Sequence, residues 1–288
     1  MADDRAVMIV GPVTWDLFAD GRQAPGGTVS FAARVASAMG VRARILTMAA
    51  ADADLSALEG HEVCVVDAPS TLTFAHTFDG DVRTLRVLCE PRRTLGPADA
   101  PPAWPAPDLL LIAPLLASDI DAGAFAALPV TECGVTAQGF LRRPDHMGVV
   151  ATTHAPTDAL LRAATKRATV FVSEDEITRW ADDDVAALAD RARRLVITHG
   201  NRGAEIRDRA GARFVPPVAA HAVDTTGAGD VFAAAFILAL GDGEESAARL
   251  ASAYAAANVE TVGPAPLPDR ATMERRLTDG RGDAQWRS

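Results

Sequence analysis

Seven residues in the last quarter of the chain, Asp224-Thr-Thr-Gly-Ala-Gly-Asp230, set two carboxylates on either side of a glycine turn. The run that follows, Val231 to Leu240, is apolar on every side, the pattern of a deeply buried helix. The first turn of a helix leaves backbone N–H groups without partners, and the macrodipole makes that end positive. Gly227, Ala228 and Gly229 carry little or no side chain, so a phosphate can approach the backbone closely, an anion hole built without lysine. A carboxylate beside a bound phosphate is electrostatically misplaced unless it has work to do. For Asp230 that work is taking the proton of an attacking hydroxyl, because phosphoryl transfer needs an aligned nucleophile and compensated charge. A plain capping role for Asp224 or Asp230 is the competing reading, and it would win for an isolated Gly-x-Gly-Asp. The full run ahead of an apolar helix favours chemistry.

The rest of the composition narrows the class. Lys166 is the only lysine, and it lies in neither a Walker A loop nor a protein-kinase motif, so any nucleotide chemistry takes another route. A net charge of -10 argues against nucleic acid or an anionic membrane as partner. Cys64, Cys89 and Cys133 have no paired spacing and read as reduced thiols. The acidic N-terminus is no export signal, and the densest apolar stretch, Leu109 to Ala117, is too short to span a bilayer. A cytoplasmic location is the expectation. The six histidines, His61, His76, His146, His154, His199 and His221, show no metal-ligand spacing and read mostly as surface or satisfied core residues.

The elements that must position this turn alternate along the chain. Ala6 to Val10, Ala43 to Met48, Glu62 to Val66, Leu109 to Ala113, Met147 to Ala151, Thr169 to Ser173 and Arg194 to Thr198 read as buried strands. Thr28 to Met39, Asp119 to Leu128, Thr157 to Thr165 and Asp182 to Arg193 read as helices, several opening on Thr or Asp as N-cap. The alternation predicts an α/β fold: a doubly wound, mainly parallel sheet with helices on both faces, with ligands at the strands' carboxyl ends. Thr71 to Leu88 breaks it, alternating with period two around Asp79-Gly80, a hairpin signal. Pro91 to Pro107 reads as a returning loop, and the polar tail from Thr278 as frayed.

With these residues in place, Asp224 to Asp230 resembles the C-terminal signature of the ribokinase-like (PfkB) carbohydrate kinases. The resemblance implies that Asp230 is the catalytic base and that Gly227, Ala228 and Gly229 form the anion hole. It implies a monovalent cation, K⁺, near Asp224 and Thr226, and ATP with Mg²⁺ as donor. Thr198-His-Gly-Asn-Arg-Gly203 resembles the family's nucleotide-binding turn, assigning Thr198, Gly200 and Gly203 to ATP, with His199 inside it; alone it would be an ordinary glycine turn. Ser173-Glu-Asp-Glu176 resembles the N-x-x-E motif that organises magnesium and phosphates; Ser173 replaces the Asn, so Glu176 alone carries over. Asn258 falls in the segment bordering the adenine pocket.

In the N-terminal half, Gly11-Pro-Val-Thr-Trp-Asp16 resembles the family's first strand, whose Asp holds substrate hydroxyls, and Gly26-Gly27 matches its di-glycine. Segments at about 13–24 and 71–90 fall where the family carries its lid, inserted in a single domain spanning residues 1–288. The family's lid-mediated dimers open the option of a homodimer. Phe31 stands where ribokinases have a sugar-binding Asn, which argues against ribose; the Gly-Gly-x-x-Ser-Phe form, with Gln138 and Arg142 facing the acceptor, is closer to the inositol-kinase branch. The implied activity is transfer of the γ-phosphate of ATP to a hydroxyl of a sugar or cyclic polyol. A nucleoside kinase of the same fold and a catalytically inactive metabolite-binding regulator remain open alternatives. A Rossmann dehydrogenase does not, because the first strand lacks a G-x-G-x-x-G turn.

Overall fold

In a computed structural model, which describes residues 5–79, 82–263 and 265–279, the apolar runs assemble into a nine-stranded sheet. Its parallel part runs in the order β5 (Glu62–Asp67), β4 (Arg44–Ala49), β1 (Val7–Val10), β8 (Leu109–Ile112), β9 (Glu132–Thr136), β12 (Ala168–Ser173) and β13 (Arg194–Thr198). Two antiparallel strands, β14 (Ala204–Asp208) and β15 (Gly211–Val215), extend it beyond β13. Successive side chains of a strand point to opposite faces. Accordingly Val7, Ile9, Leu109 and Leu111 pack into one buried cluster and Met8, Val10, Leu110 and Ile112 into another. Both faces of the central strands are therefore buried, which is why these strands are continuously apolar rather than alternating. Each fully buried Leu or Ile among them contributes about 1.5–3 kcal/mol.

Helices α1 (Thr28–Ala38), α7 (Ala228–Ala239) and α8 (Glu244–Val259) cover the first face, and α2 (Ala122–Ala126), α4 (Asp158–Ala163) and α6 (Asp182–Arg191) the second. Helix α9 (Arg270–Asp279) inserts Met273 into the first cluster. Helix α7 has Val231 to Ala239 buried without interruption, as its unbroken apolar sequence requires. Short helices α3 (Gln138–Leu141) and α5 (Glu174–Ile177) follow β9 and β12 directly, at the carboxyl edge of the sheet.

A second, four-stranded sheet has the order β3 (Gln23–Gly26), β2 (Thr14–Phe18), β6 (Leu72–Asp79) and β7 (Val82–Cys89). The period-two alternation is realised as the antiparallel β6–β7 pair, with a register shift between Thr73 and Phe74. Its expected turn residue, Gly80, lies outside the described residues. So does the C-terminal tail beyond Asp279; Thr278, where that tail was expected to begin, is still within α9.

Three expectations are corrected. The apolar segment Met147 to Ala151 does not enter the main sheet. Only β11 (Val150–Thr152) forms there, pairing with β10 (Arg142–Pro144) as a small ribbon that leaves Met147 and Val149 exposed. The main-sheet place belongs to β9, whose Glu-Cys-Gly-Val-Thr sequence lacks an apolar run. Its Gly134 is required instead by packing, since a Cβ there would lie 2.7 Å from Ile237 of α7 and 2.9 Å from Leu111 of β8. Helix α2 is shorter than Asp119 to Leu128: Asp121 caps it, while Asp119 accepts the backbone N–H groups of Leu115 and Leu116. Thr28 is not the cap of α1. Gly27 takes that position at φ 91°, and the Thr28 hydroxyl points to chemistry elsewhere.

Candidate active site

Because β1, β8, β9, β12 and β13 run parallel, the segments that leave them converge on one edge of the sheet. Onto this edge α7 brings its N-terminus. Gly227, the N-cap, has φ 74° in the left-handed region, and a Cβ there would lie 2.2 Å from the Phe31 ring. Only glycine fits both constraints. At Gly229 a Cβ would meet nothing within 4 Å, so the turn opens on free space. Among the described residues, the N–H groups of Gly229 and Asp230 have no acceptor in the protein, as expected at a helix start.

Asp230 lies at the bottom of this opening. It is half-buried, walled by protein yet reachable from solvent. Its Oδ1 accepts the Thr28 hydroxyl at 2.8 Å and Gln138 Nε2 at 3.0 Å. Gln138 Nε2 also lies 3.1 Å from Thr28 Oγ1, and Arg142 Nη2 donates to Gln138 Oε1 at 2.6 Å. Arg142 in turn donates to the Leu115 carbonyl at 3.3 Å and lies over the Phe74 ring at 5.1 Å. Burial pushes the Asp230 carboxyl up to about 6 against the pull of Thr28 and Arg142, and the nearby Glu176 and Asp16 carboxylates push in the same direction as burial.

Asp16, on β2, accepts a hydrogen bond from His76 Nε2 at 2.9 Å, and Phe18 stacks on that imidazole with ring centroids 5.1 Å apart. Gly26 must be glycine here, because a Cβ would lie 2.1 Å from Asp16 Oδ2. A Cβ on Gly27 would lie 2.6 Å from the Pro12 carbonyl oxygen. The di-glycine thus lets β3 pass against the carboxylate and start α1 in the same step.

At the neighbouring strand ends, Ser173 and Glu176 form a capping box: Glu176 Oε2 accepts the Ser173 N–H at 2.7 Å and Ser173 Oγ accepts the Glu176 N–H at 3.3 Å. Ser173 therefore does the local work of a cap where the family has Asn. Burial raises the Glu176 carboxyl, with Ser173 and Arg142 opposing. Thr198 pairs with Ser173 across β12–β13, so the two motifs adjoin. The turn beyond it closes through His199 N–H to the Gly203 carbonyl at 2.8 Å, with Gly200 and Gly203 at φ 58° and 95°. His199 and Arg202 both pair with Glu174.

Asn258 sits beneath the glycine turn at 2% exposure, and its amide donates to the Thr226 carbonyl at 2.9 Å. It is a brace under the turn rather than part of an open ligand surface. Asp224 accepts the Thr226 N–H at 2.9 Å and the Gly263 N–H at 3.3 Å. Each Asp224 oxygen thus accepts an N–H, and a carboxylate oxygen has lone-pair capacity beyond one such bond.

The structure joins Gln138, Arg142 and Asp230 through Thr28 in one hydrogen-bond network, with Gly27 adjoining Thr28, and sets Asp16 and Gly26 near it. It adds residues that the sequence reading missed. Thr28 was read as a helix start, although its place directly after the di-glycine was a signal. His76 was read as surface or core, although it interrupts the inward phase of Leu72 and Phe74 in β6. Phe74 and Asp119 had no local signal.

With this geometry in hand, comparison with known proteins is informative. The model of the pfkB family carbohydrate kinases matches residues 136–270. The chain is 38% identical over 99 residues to a probable fructokinase-5 of Arabidopsis thaliana, covering 31% of each protein. It is 39% identical over 97 residues to the ribokinase of Bacillus subtilis (strain 168), covering 32% of each. The matches thus span about a third of the length of these relatives. Among solved structures, a sulfate complex of a pyrophosphate-dependent kinase in the ribokinase family superposes with TM-score 0.75 at 19% identity, over 94% of this chain and 99% of that one. A pyrophosphate-dependent kinase of that family complexed with a pyrophosphate analog and myo-inositol gives 0.71 at 19%, over 93% and 99%. The nucleoside kinase of Methanocaldococcus jannaschii gives 0.73 at 18%, over 97% and 100%. Residues 136–270 are thus similar to the pfkB family of carbohydrate kinases, and the fold over nearly the whole chain is that of the ribokinase-family structures.

Proposed function

We propose that the protein is an ATP-dependent phosphotransferase acting on a hydroxyl of a sugar or cyclic polyol, with Asp230 as general base. The observation that carries this reading is the half-buried Asp230, held by Thr28 and Gln138 directly beneath a glycine turn with unpartnered N–H groups. The donor's phosphates lie at Gly227, Ala228 and Gly229, with Thr198, Gly200, Gly203 and Glu176 along the donor side. The acceptor lies between Asp230 and the four-stranded sheet, against Asp16 and the Gly26-Gly27 backbone. In the transfer the acceptor O–H bond breaks and its proton passes to the Asp230 carboxylate. The acceptor oxygen bonds to the γ-phosphorus, and the bridging P–O bond breaks with its electron pair leaving on ADP. The α7 N-terminus faces the charge that develops.

Magnesium would enter with the donor phosphates, keep several of its own waters and supply charge compensation. The mechanism routes no step through K⁺. A cyclic polyol is favoured by Phe31 in place of a sugar-binding amide and by the myo-inositol complex among the structural neighbours. Nucleosides form the second class, because nucleoside kinases superpose over nearly the whole chain.

The test is product release with ATP·Mg²⁺ or pyrophosphate as donor against myo-inositol, ribose, fructose and inosine. The expected result is turnover on one acceptor that falls about 10²–10⁴-fold in Asp230→Asn. Its acid limb should lie near the Asp230 value of about 6, with activity lost as pH falls and the base is protonated. Near-wild-type turnover in the Asn variant would sink the role of Asp230.

A further inference from the structure

The hydrogen bonds around Asp230 have a direction. Arg142 can only donate, so its contact at 2.6 Å fixes the facing atom of Gln138 as the carbonyl oxygen Oε1. The Gln138 amide nitrogen must then face the other way, towards Thr28 Oγ1 at 3.1 Å and Asp230 Oδ1 at 3.0 Å. Thr28 receives that N–H and gives its single proton to the same Oδ1 at 2.8 Å. An amide flip would set N–H against guanidinium and oxygen against carboxylate, so the guanidinium locks the order. Both protein donors converge on Oδ1, and no donor among the described residues reaches Oδ2.

We infer that Arg142, Gln138 and Thr28 form a one-way donor relay that assigns the two oxygens of Asp230, pinning Oδ1 and leaving Oδ2 as the atom that takes the acceptor's proton. This rests on Asp230 being the general base. Gln138 and Arg142 are then positioning residues: the Gln138 amide is engaged at both ends, and Arg142 also holds the Leu115 carbonyl. The relay reaches further back. Asp119, 1% exposed, accepts the N–H groups of Leu115 at 3.0 Å and Leu116 at 2.6 Å, which orders the loop whose carbonyl anchors Arg142. The charged groups bearing on Asp230 are Arg142, which favours its ionised form, and Glu176 and Asp16, which oppose it. Arg142 also acts on Glu176 and Asp119 in the same favourable sense, so one guanidinium serves three carboxyl groups.

The test reads the carboxyl group itself and needs no acceptor. Infrared difference spectra, wild type minus Asp230→Asn, are recorded from pH 4 to 9 and give the Asp230 titration midpoint. The same titration is run in Gln138→Met, Arg142→Met, Arg142→Lys and Thr28→Val, each background compared with its own Asp230→Asn form. The expected result is a midpoint about one pH unit higher in Gln138→Met and Arg142→Met, because a donor or charge that favours the carboxylate is gone. Arg142→Lys should return it towards wild type, since an ammonium still donates to Oε1 and still carries charge. Thr28→Val, which removes one hydroxyl, should also raise it and stands in should either Met variant fail to fold. An unmoved midpoint in the folded variants overturns the relay. An unmoved midpoint with an inactive Asp230→Asn enzyme removes the relay and leaves the base; a raised midpoint with an active Asp230→Asn enzyme leaves the relay and removes the base.

Discussion

Gly227 and Phe31 are a pair that neither residue announces alone. The ring fills the space where a Cβ at 227 would lie, 2.2–2.5 Å from three of its carbons, while the backbone holds φ at 74°. Gly227→Ala is therefore expected to destabilise the protein by about 1–3 kcal/mol and to raise the KM for the phosphate donor. Urea unfolding and donor titration check the two effects separately. At this scale the sequence was legible wherever chemistry forces a residue type. A left-handed turn packed against a ring demands glycine, and a carboxylate opening an apolar helix is conspicuous, so Gly227 and Asp230 stand out. The partners of Asp230 did not, because Thr28 lies 202 positions away and Gln138 lies 92. Spacing along a chain says nothing about such contacts.

Elements were legible in proportion to their apolar pattern. Strand β13 spans Arg194–Thr198 as its run of Leu, Val and Ile predicts. Strand β9 escaped because Glu132, Cys133 and Gly134 are chosen for an ion pair and for helix packing rather than for hydrophobicity. The apolar run of residues 147–151 misled for the opposite reason: a short run fits an edge ribbon as well as a buried strand. The loop after β8 carries a prediction of its own. Burial raises the Asp119 carboxyl from 3.8 to about 7, so its protonated form is the one the fold favours. The associated stability is present below pH 4 and is lost as pH rises through 7. Asp119→Asn keeps the acceptor oxygen and removes the titration. It should match wild type in thermal melting near pH 3.5 and exceed it increasingly up to pH 8, by about 4 kcal/mol at most.

Across the whole molecule, an ion cluster on Arg194 ties the sheet to the helical layer. Its side chain is 10% exposed and bonds Glu132 of β9 at 3.2 Å and Glu244 of α8 at 2.6 Å. Glu244 is shared with Arg213 of β15, which also holds Asp208. Arg194→Met should cost about 1–3 kcal/mol in urea unfolding, because Glu132 and Glu244 each lose a charged donor but keep Arg193 and Arg213. Raising the salt concentration should recover little of that loss, since buried pairs are weakly screened. The long-range order of the molecule also bears on its synthesis. Thr28 and Gln138 leave the ribosome well before Asp230, and helix α7 can close the site only after both have been made. The carboxylate acquires its Thr28 and Gln138 partners at the last stage of assembly. A nascent or half-folded chain therefore carries Asp230 without either partner, and the pocket around it is completed only when helix α7 docks against the earlier-made half.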